Sequence, residues 1–264
     1  MKASQIEQCA RNLNKAMDER TPHIPLTTQY PELTIDQAYA ISLAFLRIRL
    51  DKGERVIGKK IGLTSEVVQQ MLGVHQPDFG FLTDKMYYPS GAEIELKKEL
   101  IQAKSEGEIA FKLKHDLVGP NITAKDVLAA TEKVFACFEI VDSRIENWQI
   151  KIQDTIADNA SCGIFVMSEH GVDPNTVDFE NCAMTIRNKG EVVATGKGSA
   201  ALGSPLNCVA WLANTLSEYD IPLNAGDIIL SGSLAAMIPC KAGDEMSVEI
   251  EGVGSAEFKF IMEQ

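Results

Sequence analysis

Apolar positions along this chain follow two regimes. Up to about residue 52 they fall at helical spacing. Ile6, Ala10, Leu13 and Met17 share one face of a polar segment from 4 to about 19. Ala38, Ile41, Phe45 and Ile48 share a face after Thr34, whose spacing to Gln37 predicts a capping box, and Gly53 ends that helix. Three prolines between 21 and 31 predict a loop. From residue 55 the period is mostly two. A short strand is predicted through Val56, Lys59 and Lys60, then a helix from Ser65 carrying Val67, Val68, Met71 and Leu72. Ile109, Phe111 and Leu113 alternate with Glu106, Glu108 and Ala110, which predicts a strand. Thr123 caps a helix with Val127, Leu128, Ala130 and Val134, and a second strand follows at 135–141. Further strands are predicted at 162–167, at 182–187 and 191–195 as a hairpin, and at 227–230. Met246, Val248 and Ile250 alternate, as do Phe258 and Phe260. Ser204 and Pro205 open one long helix with Val209, Leu212, Ala213 and Leu216 inward. The expectation is an α+β protein: a small N-terminal helical region, 1–52, and a β-rich domain, 53–264.

Polar residues that break this pattern are the candidate chemistry. Alternation puts Glu106 and Glu108 on one strand face, side by side. Such a pair is ordinarily a solvated face. Glu139 does not fit that reading, because its neighbours on both sides are apolar. A buried carboxylate takes up a proton or finds a cation. Three carboxylates meeting at one spot call for a divalent metal, and oxygen-only ligands favour Mg²⁺, Mn²⁺ or Ca²⁺ over zinc. Lys59 and Lys60 must point to opposite strand faces, so one of them leans inward, where it could bind an anion or move protons; two solvated lysines at a strand end is the plainer alternative. Asp78 lies in a turn-rich loop, 73–80, whose path is set by Pro and Gly. His75 shares that loop, while His23, His115 and His170 lie in polar stretches. Asp154, Asp158, Asn159 and Ser161 read either as supports or substrate contacts of a site, or as caps and turns. The glycine-rich stretch 196–205 has neither dinucleotide-binding nor phosphate-loop spacing.

Composition narrows the partners. The formal net charge of −12, with no basic block against it, disfavours nucleic acid or an anionic membrane. Six cysteines occur without a C-x-x-C pair and mostly in apolar runs, which predicts reduced core thiols. The N-terminal residues show no apolar signal core, and no apolar run reaches the length of a membrane span. A cytoplasmic protein is the expectation.

Several runs carry a family resemblance: GERVIGKKIGLTS at 53–65, LGVHQPDFGFLTD at 72–84, SEGEIAFKLKHDLVGP at 105–120, FEIVDSRIENW at 138–148, IQDTIADNASCG at 152–163 and GSPLNCVAWLANTL at 203–216. Over nearly its whole length the chain resembles the 2-hydroxypenta-2,4-dienoate hydratases (2-oxopent-4-enoate hydratases) of meta-cleavage aromatic catabolism, among the fumarylacetoacetase-like proteins. The resemblance implies a mixed β-roll of the fumarylacetoacetase-like C-terminal type. It implies a metal, Mg²⁺ or Mn²⁺, on Glu106, Glu108 and Glu139. It gives catalytic roles to Lys60 and Asp78, a substrate contact to Ser161 and a pocket wall to Leu72. The implied reaction adds water to 2-hydroxypenta-2,4-dienoate. A homo-oligomer, and association with the related decarboxylase, are implied as well. Close relatives decarboxylate 4-oxalocrotonate and usually lack the Gln-Pro-Asp-Phe-Gly stretch kept here at 76–80, which favours the hydratase. A 2-oxohept-4-ene-1,7-dioate hydratase, an acylpyruvate hydrolase and a non-catalytic partner subunit are the other readings. Ala103-Lys104 stands where many relatives have Pro-Arg, and Lys197 replaces a small residue of some. Lys197 could reach toward a second substrate carboxylate or simply be exposed.

Overall fold

The structure is a computed structural model and describes residues 1–65, 69, 74 and 76–261. The helix predicted from Ser65 falls mostly outside them, as do Leu72 and His75. Among the described residues thirteen strands form two sheets, with helices packed around them. The larger sheet runs in the order β2 (Asp78–Thr83), β1 (Val56–Gly62), β10 (Ile228–Leu230), β5 (Lys104–Leu113), β6 (Thr131–Val141), β7 (Cys162–Met167) and β3 (Tyr87–Pro89), and β11 (Ile238–Pro239) pairs the start of β5. It is mixed: β1 with β10 and β3 with β7 are parallel, and the other pairs are antiparallel. The smaller sheet runs β4 (Ala92–Glu95), β13 (Gly254–Ile261), β12 (Glu245–Ile250), β8 (Ala183–Asn188) and β9 (Glu191–Lys197). This is the α+β architecture that the sequence pattern predicts, and its mixed sheets agree with the roll that the family resemblance implies.

Gly107 shows how the sheets meet. A Cβ there would lie 2.6 Å from Met184 Sδ and 3.1 Å from Val248 Cγ2, both on the smaller sheet. The bare glycine lets the sheets close, and alternation then turns Glu106 and Glu108 to the opposite face. Phe138 and Phe258 join the same contact edge-on, with centroids 5.0 Å apart. The face bearing the glutamates has its own small apolar cluster, including Ala110, Phe135, Cys137, Phe165 and Leu230. Both faces of the long strands are therefore covered, and few polar side chains on them reach water.

The N-terminal helices form as their periodicity predicts. They are α1 (Ala3–Glu19) and α3 (Ile35–Asp51), with the Thr34–Gln37 capping box present, and α2 (Leu26–Gln29) is a single turn within the proline-rich loop. Leu13, Ile41 and Phe45 lie in one continuous core with Phe79, Phe111 and Phe138. After α4 (Leu96–Glu99) and α5 (Ala124–Ala130) comes α6 (Ile152–Ala157), which packs on α3. Asp154 of α6 accepts hydrogen bonds from Thr27 N–H and Oγ1 at 2.9 and 2.6 Å, which tethers α2. The last helix, α7 (Pro205–Ser217), packs on α5 and β1.

Candidate active site

The site is built on four strands. Register pairs Glu106 of β5 directly with Glu139 of β6, and Glu108 with Cys137. One carboxylate oxygen from each of Glu106, Glu108 and Glu139 lies within 4.8 Å of the others. Glu108 and Glu139 are fully buried and Glu106 is the partly exposed member. Glu108 Oε2 accepts a hydrogen bond of 2.8 Å from Gly232 N–H. Glu108 Oε1 and both Glu139 oxygens accept none from the described residues. Burial first, then the Glu139 charge, pushes the Glu106 carboxyl up to about 8 and the Glu108 carboxyl well above its ordinary range. Buried carboxylate oxygens without donors, all of one hard type, fit a hard divalent cation.

β1 and β2 bring the remaining charges. Lys60 pairs with Gly80, and Gly62 with Asp78, so each charged residue faces a glycine across the ladder. A Cβ on Gly62 would lie 2.3 Å from Asp78 Oδ1 and 3.1 Å from Lys60 Nζ. The absent side chain is what leaves room for both groups. Lys60 Nζ lies 3.2 Å from Glu139 Oε1 and donates to the Ala160 carbonyl at 3.0 Å. Burial acts to lower the Lys60 ammonium, but the charges of Glu139 and Asp78 outweigh it and hold it above its usual value. Burial pushes the Asp78 carboxyl up to about 6, with the Lys60 charge opposing the rise. Asp78 is fully buried and Oδ1 accepts no hydrogen bond from the described residues. It opens β2 instead of lying in the expected loop, because pairing with Gly62 outweighs the turn-rich composition before it.

Ser161 reaches the same place through Thr155. The two hydroxyl oxygens are 3.1 Å apart, and the Thr155 hydroxyl also interacts with the Asp78 carboxyl. Thr155 carried no sequence signal, being a Thr inside a short amphipathic turn. Asn159 joins through its amide, which bonds the backbone of Phe81. Asp154 and Asp158 do not join. Asp154 holds α2, and Asp158 Oδ1 receives the buried Arg144 guanidinium at 2.5 Å.

The two lysines separate, but both are buried, at 3% and 2% exposure. The expectation that only one leans inward fails because the sheet is covered on both faces. Lys59 points away from the carboxylates and ends 2.5 Å from Asp227 Oδ2 and 3.2 Å from the Pro222 carbonyl. Lys104 sits 4.2 Å from the centroid of the Trp148 ring, and burial lowers its ammonium while Glu106 opposes that. Lys197 is exposed at the end of β9, on the other sheet.

Residues 59–261 match the fumarylacetoacetate (FAA) hydrolase C-terminal family, and the chain belongs to it. It is 55% identical over 256 residues to a 2-hydroxyhexa-2,4-dienoate hydratase of Comamonas testosteroni, covering 97% of each chain. It is 56% identical over 216 residues to a 2-hydroxypent-2,4-dienoate hydratase of Pseudomonas putida, covering 82% of this chain and 97% of that one. Among solved structures, the 4-oxalocrotonate decarboxylase from Pseudomonas putida G7, complexed with magnesium and adipate, superposes with a TM-score of 0.96 at 34% identity over 99% of each chain.

Proposed function

We propose that this protein is a hydro-lyase, a divalent-metal-dependent hydratase that converts 2-hydroxypenta-2,4-dienoate and water to 4-hydroxy-2-oxopentanoate in meta-cleavage aromatic catabolism. One observation carries the reading: Glu106, Glu108, Glu139, Lys60 and Asp78 converge in one buried place, in a chain whose relatives at 55% and 56% identity are named dienoate hydratases. Gathering five ionisable groups, four of them buried, is costly unless they work as a unit.

Glu106, Glu108 and Glu139 would hold the cation, Mg²⁺ or Mn²⁺, and bound there it would supply Lewis acidity that stabilises enolate charge on the substrate. Magnesium in the related decarboxylase supports a hard ion. The dienol becomes a ketone when its hydroxyl proton leaves and C5 gains a proton. C4 is then conjugated to the C2 carbonyl and is electrophilic. Water adds oxygen to C4 while C3 takes up a proton. We assign to Lys60 the orientation of the substrate carboxylate and the relay of a proton. To Asp78 we assign the positioning and deprotonation of water, since a carboxyl near 6 is ionised at neutral pH and still basic enough to accept a proton. Ser161 donates a hydrogen bond to the substrate. Leu72 is assigned to the pocket wall on the family resemblance alone. Residues 53–264 carry the chemistry and 1–52 buttress it, for Tyr39 of α3 stacks on Phe79, next to Asp78, at 4.3 Å between centroids.

The test is an assay on enzymatically generated 2-hydroxypenta-2,4-dienoate, following loss of its ultraviolet absorbance and identifying the product by mass, with chelated and Mg²⁺- or Mn²⁺-restored protein in parallel. Metal-dependent formation of 4-hydroxy-2-oxopentanoate is expected. The close superposition on a decarboxylase keeps one second reading in view: release of CO₂ from 4-oxalocrotonate without hydration selects it. A 2-oxohept-4-ene-1,7-dioate hydratase would show itself by preferring the longer dicarboxylate. We also read the protein as a cytoplasmic homo-oligomer able to associate with the related decarboxylase; six free thiols, five of them buried, support a reducing compartment.

A further inference from the structure

We infer that Asn159 is a positioning residue for this reaction: its amide clamps a left-handed turn at 159–161 whose Ala160 carbonyl holds the Lys60 ammonium. The inference rests on the role assigned to Lys60 above.

Asn159, Ala160 and Ser161 have φ of 55°, 50° and 51°, and none is glycine. L-residues visit this region singly, not in runs, because Cβ crowds the following carbonyl. Three in succession persist only where the surroundings over-determine them. Here the surroundings are specific. Asn159 Oδ1 accepts from Phe81 N–H at 2.8 Å, and Nδ2 donates to the Phe81 carbonyl at 2.9 Å. The side-chain amide thus takes the place of a neighbouring strand along the free edge of β2. Gly80 permits this approach, since a Cβ there would stand 2.5 Å from the Asn159 carbonyl oxygen. The far end is held too: Asp142 N–H donates to the Ser161 carbonyl at 2.7 Å.

The outcome of this clamping is one bond, Lys60 Nζ to the Ala160 carbonyl at 3.0 Å. With the Glu139 Oε1 charge at 3.2 Å on another side, in an ion pair without a hydrogen bond, the ammonium is held between two fixed oxygens. No charge from Asn159 reaches the substrate, so its effect passes through Lys60. A small displacement of a reacting group can cost about a hundredfold in rate.

The test uses two variants of the full chain. Asn159→Gly removes the clamp and tolerates positive φ; Gly80→Ala leaves Asn159 intact and pushes the turn away from β2. Two readouts are taken at a temperature where both variants are folded. The first is the split of kcat and KM on the dienoate. The second is reductive methylation of Lys60 and Lys59, read by peptide mass on the protein without substrate. Lys59 is the internal control, buried one residue away but held by Asp227. Expected are a fall in kcat of roughly tenfold or more with KM within about twofold, and Lys60 labelling several-fold faster with Lys59 unchanged. Unchanged Lys60 labelling, or a parallel rise at both lysines as general loosening gives, overturns the inference, as does wild-type kcat in both variants. If the wild-type protein does not hydrate the dienoate, the functional reading fails, and the labelling contrast alone still decides whether Asn159 holds Lys60.

Discussion

Glu106 and Glu139 stand directly opposite one another in the β5–β6 ladder, two carboxylates as a cross-strand pair with Glu108 a third beside them. Like charges so placed oppose folding unless something takes up the charge. Without metal the buried Glu108 carboxyl is held protonated, so folding near neutral pH has to include proton uptake; Glu108→Gln removes that cost and keeps the Gly232 bond through the amide oxygen. In chelator its melting temperature should therefore rise, corresponding to about 1 kcal/mol, while Mn²⁺ affinity falls at least about tenfold. Thermal unfolding in chelator and titration with Mn²⁺ check both; earlier unfolding of Glu108→Gln in chelator speaks against that cost.

Glu139→Gln should act with the opposite sign on stability. Its carboxylate is the nearest counter-charge to the buried Lys60. Breaking a buried pair by removing one partner costs about 3–5 kcal/mol, and Asp78 nearby keeps the loss at the lower end. Denaturant unfolding beside Glu108→Gln reads the contrast directly.

Two adjacent lysines should give two different phenotypes. Lys60→Met should lower kcat/KM by about 10²–10⁴-fold while Mn²⁺ still binds. Near-normal turnover would remove Lys60 from the mechanism. Asp227→Asn strands Lys59 instead, so it should cost stability, about 3 kcal/mol or more, and leave the kcat of the folded enzyme near wild type.

For pH, the Asp78 carboxyl is raised from 3.8 to about 6. The folded state holds that proton more tightly than the unfolded chain, so this group favours folding below the unfolded value, and the contribution is lost as pH rises through about 6. Activity runs the other way, because the ionised form is the base. The kcat/KM of the metal-loaded enzyme should fall below about pH 6, and Asp78→Asn should remove that acid limb at a much lower rate. A limb that persists unchanged in Asp78→Asn belongs to another group.

Metal binding should show its own proton linkage. The Glu106 carboxyl is pushed up to about 8 and Glu108 well above its ordinary range. Protons held by these groups must leave when a cation binds, so affinity rises with pH. The gain in melting temperature from a fixed Mn²⁺ concentration should be larger at pH 8.5 than at pH 6. A gain that shrinks with rising pH would count against these ligands.

Much of this was legible along the chain. The faces of α1, α3, β5, β6 and β12 could be read because burial of one face leaves a local period in the apolar residues. Glu139 stood out because no apolar strand carries a charge without cause. Contacts between distant segments left no such trace. The partner of Lys59 is 168 residues away, brought alongside by the parallel pairing of β1 with β10. Asp78 belongs to a strand only because Gly62 lies opposite, and Thr155 and Asn159 matter only because 152–161 folds back onto β2. Periodicity records which face of an element leaves water, since that depends on near neighbours in the chain. Which charged groups then meet depends on strand order and register, and those are properties of the assembled sheet.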